Sequence, residues 1–542
     1  MKLFFSTYRN SFIIILFFIL AEWIINPIGE FSLNDDWAYA KSVETYIHKG
    51  CFEIGYWPAM TLYAHVLWGV LFVKIFGFSF TVLRFSILLL GLGSILIIQK
   101  LAFQITQNRQ TALLSSLVIF VSPLFMNLSN SYMTDVSFLF SVLASVYFFY
   151  QCFYTDKLKY VYLGFLFYVI ALFVRQLAVT VPLAFIAICL LDVVFNKTTL
   201  KLLVVSMALF FGSLVILFFF EKSIYPSLSD FSSYQGIFFS KSKIQITSLD
   251  FFDNLYKRFS LLLLYVGLTV FPILIINIKT LFIDAYNSSL IRKGLALLFI
   301  ILICVVYHLF PIGNVLYNSG IGLETTPDTF HFKMNIEHTY NPILFETIRV
   351  ISLLGATLFI LQIINHSKDK ASENWFLQKN KFSLFIGFIL LAYVFLFAIF
   401  SSFYDRYALS FFSLALLLMV NQINFKLNKP RFVMIVLFIY SLFSILATKD
   451  YFNYNRIKEN IITDLTQYRH VKVDDIHGGF EFMMWNFYEK DGWNRYWDHR
   501  GYNYQITFGE NLEPYHTIEK HPYRRYFPFK VDTLYLIKKD EE

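Results

Sequence analysis

The chain has 542 residues, 57% of them hydrophobic and 15% charged, with a formal net charge of +8. Apolar runs of spanning length recur along its first 447 residues, which excludes a soluble globular protein. Runs of roughly 20 apolar residues without strict alternation specify helices, whose backbone satisfies itself in lipid, rather than a barrel.

Lys and Arg sit in small groups between apolar runs and form no basic stripe, which argues against nucleic acid as a partner and fits the positive-inside bias. Residues 11–27 follow Lys2 and Arg9 like a signal peptide but lack a small-residue cleavage site, so they read as a retained first helix. An outer loop, 28–79, comes next. Within it the apolar segment 60–76 carries His65 and Lys74 and is interrupted by Gly69 and Gly77, which predicts a juxtamembrane helix on the outer surface rather than a crossing. Further spans are predicted over 80–99, 110–128, 136–154, 159–174, 177–195, 201–220, 258–278, 294–312, 344–364, 382–400, 407–424 and 431–447, 13 in all with the first.

With the amino terminus inside, every inner loop is net basic, from Lys100 and Arg109 to Lys426, Lys429 and Arg431. The outer loops are then 28–79, 129–135, 175–176, 221–257, 313–343 and 401–406. The expected organisation is a membrane part, 1–447, followed by an extracytoplasmic part, 448–542. That second part turns polar and aromatic, with Trp485, Trp493 and Trp497, and predicts strands over 502–508 and 531–538 and a helix over 455–468, a small α+β domain. Its aromatic residues suit sugar stacking and interface packing equally. Cys152, Cys189 and Cys304 fall within or at the ends of spans and leave Cys51 without a partner, so no disulfide framework is expected. No internal repeat is evident.

Asp35 and Asp36 lie just beyond the first span and Asp135 at the edge of another, all on one face by the charge bookkeeping. Carboxylates converging at one membrane face point to an active site. The plainer reading is helix capping. Arg175 and Arg406 stand at the outer ends of spans, where guanidinium pairs bidentately with phosphate or snorkels to lipid headgroups. An exposed Asp405–Arg406 pair would contribute only about 0–1 kcal/mol. The loop 324–338 holds Asp328, His331, Glu337 and His338, metal-ligand types in no closed motif, and reads better as a lid or acceptor-contact loop.

At Asp35, Asp36 and Tyr39 the chain resembles the first outer loop of membrane glycosyltransferases of the C-fold superfamily, notably protein O-mannosyltransferases and lipid A aminoarabinose transferases, in a bacterial branch. The resemblance continues through Trp57 and Pro58, Thr111 to Leu114, Met133 to Asp135, Arg175 and Gln176, Tyr404 to Tyr407, and Asp475 to Glu481. Where the aminoarabinose transferases carry a Glu-Lys pair before the proline, this chain has Tyr56 and Trp57, a departure at the donor side.

The resemblance implies an all-α polytopic bundle with an α+β outer-face domain, in a bacterial inner membrane. It implies transfer of a sugar, with inversion, from a polyprenyl phosphate carrier to an envelope glycolipid, polysaccharide or protein. A phosphate leaving group needs no protonation, so one carboxylate can suffice, unlike glycoside hydrolysis. Asp35 is the expected base, and Arg175 and Arg406 the donor-phosphate cations. Asp36 and Asp135 would orient the sugar or the basic residues, or share a divalent cation, and Tyr39, Trp57, Gln176 and Tyr404 would contact substrate.

Two rivals share the topology. A flippase of lipid-linked sugars predicts mid-span ionisable residues and often a repeat. A polymerase of lipid-linked oligosaccharides would differ mainly in acceptor.

Overall fold

The computed structural model describes residues 2–55, 57–196, 200–224, 250–313, 315–317, 342–366, 381–399, 403–422, 430–488, 495, 501–527 and 529–540. The 324–338 loop, Trp493 and Trp497 lie outside them. In chain order the helices are α1 Lys2–Ile25, α2 Asp36–Lys49, α3 Tyr63–Phe76, α4 Phe80–Thr106, α5 Arg109–Phe120, α6 Pro123–Ser129, α7 Thr134–Thr155, α8 Leu158–Leu172, α9 Thr180–Asn196 and α10 Leu200–Ile224. They continue as α11 Asp250–Leu274, α12 Ile278–Tyr286, α13 Leu290–Val306, α14 Pro342–His366, α15 Lys381–Ile399, α16 Ala408–Gln422, α17 Pro430–Thr463 and α18 Phe480–Phe487.

Every predicted span coincides with helix. Among the described residues 9 helical stretches are long and apolar enough to cross a membrane, or up to 10 with a bent pair. The predicted spans 159–174 and 407–424 appear as helices of 15 residues each. The apolar 60–76 segment is a helix of 14 residues, too short to cross a bilayer core of about 30 Å at 1.5 Å per residue.

The one predicted span that differs in kind is 110–128. It breaks between α5 and α6 with a bend of 67°. Ser122 accepts from the Phe125 amide as the cap of α6, and Pro123 follows at its first position, where its missing N–H costs nothing.

α11 and α14 cross at backbone contact. A Cβ built on Gly267 would lie 2.3 Å from both the Ser352 carbonyl oxygen and the Ala356 nitrogen, and one on Gly355 only 2.1 Å from the Gly267 carbonyl oxygen. Small residues at such crossings let helices meet closely in lipid. Gly267→Ala is therefore expected to force the pair apart and cost about 1–3 kcal/mol, read as a lower melting temperature in detergent. An unchanged melting temperature would mean the crossing is slack.

α17 runs unbroken through position 447, where the composition changes, and delivers the chain to a four-stranded sheet. The strands are β1 Ile476–His477, β2 Tyr504–Thr507, β3 Tyr515–Arg524 and β4 Val531–Lys539, in the order β1-β2-β4-β3. β1 pairs parallel with β2, and the other pairings are antiparallel. β2 and β4 meet the expectation. β3 has no clean alternation and contains Pro522, which suits its place at the sheet edge and hides it from a pattern search.

Candidate active site

Two aspartate–arginine pairs, one buried and one part-buried at Asp35, converge beside one tyrosine. Asp35, immediately before α2, makes no side-chain cap bond. Its Oδ2 lies 2.8 Å from Arg406 Nη1, and its Oδ1 accepts from Trp57 Nε1 at 3.0 Å. Asp135, in the first turn of α7, lies 2.9 Å from Arg175 Nη2. The Arg175 and Arg406 guanidinium centres stand 5.6 and 5.5 Å from the centre of the Tyr407 ring. Both arginines are under 9% exposed, so they do not snorkel to lipid.

Local chain geometry explains the convergence. Thr61 Oγ1 donates to the Leu172 carbonyl at 2.7 Å, and the Leu62 and Ala64 amides donate to Val174 and Phe173, which pins the C-terminal end of α8 just before Arg175. The Thr134 hydroxyl then accepts from Arg175 Nε at 3.0 Å and Nη2 at 2.6 Å, fixing the plane of the guanidinium. Arg406 is placed by its neighbour. Asp405 is fully buried and takes the Val315 and Leu316 amides, the latter at 2.7 Å. Burial pushes Asp405 up to about 6 despite those bonds. The plainer alternative of a local Asp405–Arg406 bridge is thereby set aside: each residue reaches across the fold to a different partner.

Tyr39 is buried between the pairs. Burial raises its hydroxyl pKa, and the charges acting on it are Arg406, Asp35, Arg175 and Asp135. Burial opposes the charge on Arg406, but Asp35, Tyr407, Tyr39 and Asp135 together hold its pKa well above the ordinary value. Tyr404 lies under Arg406, with 5.3 Å between guanidinium and ring centre. Trp57 belongs to an aromatic wall with Trp37 and Phe480, ring centres 5.8 Å away in both cases. Gln176 is exposed, and only its chain neighbour Arg175 ties it to this cluster.

Asp36 stands apart from its neighbour. It is fully buried, and its oxygens accept from the Leu33 amide at 2.7 Å and the Tyr132 amide at 3.2 Å, tying the loop between α1 and α2 to the chain before α7. Burial pushes it up to about 7, opposed by Arg84 and the two amides. Its ordinary value is 3.8, so between about 4 and 7 the folded state holds a proton that the unfolded state releases, and this group's contribution falls as pH rises through that window. Asn keeps one acceptor and turns a donor toward the other amide, which should cost about 1–3 kcal/mol near pH 5. The deficit of Asp36→Asn should narrow by pH 8, where the wild type carries the buried charge. Melting curves across that range check it, and a constant deficit would show that Asp36 does not titrate there.

Sequence reasoning did not assign roles to Thr134, Tyr407, Arg84 or Glu481. Arg84 is fully buried and donates to the Pro27, Gly29 and Phe31 carbonyls, shaping the loop before Asp35. Glu481 accepts from the Asn34 amide at 3.4 Å and from Lys458 at 3.2 Å, so the C-terminal part touches the site. A polar residue beside a charged motif gives no local sequence signal of such contacts. Among the described residues no three His, Cys, Asp or Glu side chains gather as metal ligands. Asp36 is held by amides and Asp135 by Arg175, an arrangement that does not fit their sharing a divalent cation.

Residues 62–221 match the family model described as dolichyl-phosphate-mannose-protein mannosyltransferase, which bears out the mannosyltransferase resemblance over a stretch that includes Asp135 and Arg175. No curated protein matches the chain. Among solved structures, the chain is similar to ArnT from Cupriavidus metallidurans bound to undecaprenyl phosphate, at 13% identity over 75% of this chain and 77% of that one, with a TM-score of 0.36. It is also similar to the archaeal oligosaccharyltransferase AglB from Archaeoglobus fulgidus in complex with an inhibitory peptide and a dolichol-phosphate, at 13% identity over 85% of this chain and 58% of that one, with a TM-score of 0.44.

Proposed function

We propose that the protein transfers a sugar, with inversion, from a polyprenyl phosphate carrier to an envelope acceptor on the outer face of a bacterial inner membrane. The observation that carries this is the pair of largely buried Asp–Arg couples flanking Tyr407. The basic inner loops support the sidedness, and residues 448–542 then form the outer-face part.

At rest the two carboxylates and two guanidiniums cancel. Each Asp35 oxygen already accepts one contact, from Trp57 or Arg406, and keeps a second lone pair for a proton, while the Arg406 pairing lowers its basicity. An arriving donor phosphate competes for Arg406 and Arg175 and loosens that hold. The acceptor oxygen then bonds to the anomeric carbon, the carbon–oxygen bond to phosphate breaks with its electron pair leaving on phosphate, and the acceptor proton passes to Asp35. Negative charge thus moves from Asp35 to the departing phosphate, with Arg406 beside both. Asp135 and Thr134 hold Arg175 in plane, Asp36 holds the loop, and the Trp37, Trp57 and Phe480 wall offers apolar faces to a pyranose ring.

The test is transfer from a radiolabelled polyprenyl phosphate sugar by purified protein in liposomes, with reporters after Lys100 and Thr448. Transfer should appear with the first reporter cytoplasmic and the second outside. Movement of the labelled lipid between leaflets without transfer would favour a flippase, and an outward reporter after Lys100 would reverse the sidedness.

A further inference from the structure

Away from the Asp–Arg cluster, the C-terminal part contains a cleft of about 610 Å³ whose wall includes Arg469, Lys472, Asp475, Lys538, Lys539 and Asp540. Four cations and two carboxylates line it, and Lys538 is itself engaged. The carboxylates are already engaged, Asp475 accepting from Asn503 at 3.2 Å and Asp540 pairing with His516 at 2.6 Å. Arg469 is held by Asp464 at 2.6 Å and by Glu519. Among the described residues no carboxylate stands within ion-pair distance of Lys472 or Lys539. The cleft therefore presents two lysine cations, Lys472 and Lys539, that no carboxylate among the described residues neutralises, and the Tyr504 ring adds an apolar face to its wall.

Depth and connection narrow the ligand. Arg456 on α17 donates to the Ile28 and Asn26 carbonyls just past the end of α1, the first predicted span. α17 continues to Thr463, about 10 Å further at 1.5 Å per residue, and the cleft lies beyond that end. Measured from the end of that predicted span, this distance disfavours lipid headgroups. From Asp475 the chain runs through β1 and the Gly478–Gly479 pair directly into α18, whose Glu481 accepts from the amide of Asn34, next to Asp35. One continuous segment thus lines both the cleft and the candidate active site.

We propose that this cleft binds a carboxylate- or phosphate-bearing saccharide and is the subsite for an anionic acceptor. The acceptor role rests on the transferase reading, whereas the binding does not.

The experiment is binding to the purified full chain in neutral phosphatidylcholine nanodiscs, by titration calorimetry, with tetragalacturonate, glucose 6-phosphate and neutral maltotetraose as probes. At least one anionic probe should bind, weakening with added salt because exposed charges are screened, and maltotetraose should not. Lys472→Gln/Lys539→Gln should weaken the anionic probe about tenfold or more, while Lys472→Arg/Lys539→Arg retains it. Melting temperature is followed in each variant. Unchanged affinity in the Gln pair, or no anionic binding by the wild type, overturns the proposal. So does a result in which the Gln pair loses only association with phosphatidylglycerol vesicles, which would assign the cleft to headgroups. If lipid-donor transfer fails while saccharide binding and its loss in the Gln pair stand, the transferase reading falls and the site remains. If transfer stands and binding fails, only the cleft is lost.

Discussion

Asp35→Asn is expected to lower sugar transfer by a factor of roughly 100 to 10,000, the usual cost of removing a general base. The structure adds a second expectation. Asn can still accept the Trp57 N–H, but it no longer neutralises Arg406, which is 4% exposed. Stability should fall, and added polyprenyl phosphate should restore part of it by supplying the missing anion. Donor affinity should hold or tighten, because the phosphate no longer competes with a carboxylate for Arg406. A purely structural Asp35 predicts the reverse, with donor binding and turnover declining together. Single-turnover transfer and donor binding on folded protein separate the two, and near-normal turnover sinks the base assignment.

Arg175→Ala should be the most damaging single change to the resting site. It strands Asp135, whose side chain is 1% exposed, without its counter-charge, and breaking a buried pair from one side costs about 3–5 kcal/mol. Arg175→Ala/Asp135→Ala removes the stranded charge and should recover much of that stability. It should not recover use of the lipid donor, because the phosphate still lacks a cation. Arg175→Lys should restore only part of the donor use, since an ammonium cannot reproduce the planar grip of Nε and Nη2 on Thr134. Melting temperature and the KM for donor, measured in all three, check the argument. A double variant that uses the donor normally would reduce Arg175 to a structural counter-ion.

How legible the site was follows from what each signal depends on. Asp35, Asp135, Arg175 and Arg406 stand out in sequence because a charge at the edge of an apolar run costs desolvation unless something meets it, so the sequence alone marked them as residues with partners. The partners themselves were not legible. Arg406 follows Asp405 directly yet pairs with Asp35, from the other end of the chain, because Asp405 is drawn to the amides of Val315 and Leu316. Asp35 and Asp36 read as one acidic pair, but successive residues at the start of a helix point about 100° apart at 3.6 residues per turn, and one meets a guanidinium while the other is enclosed by backbone. Apolar run length and charge placement, which are local, determined the helical bundle, the short juxtamembrane helix and the strands Tyr504–Thr507 and Val531–Lys539. The bend at Ser122 and Pro123, the Gly267–Gly355 crossing and the gathering of both Asp–Arg pairs around Tyr407 were decided only by the tertiary structure, because each depends on which segments pack together, and a buried charge takes whichever partner that packing brings within reach.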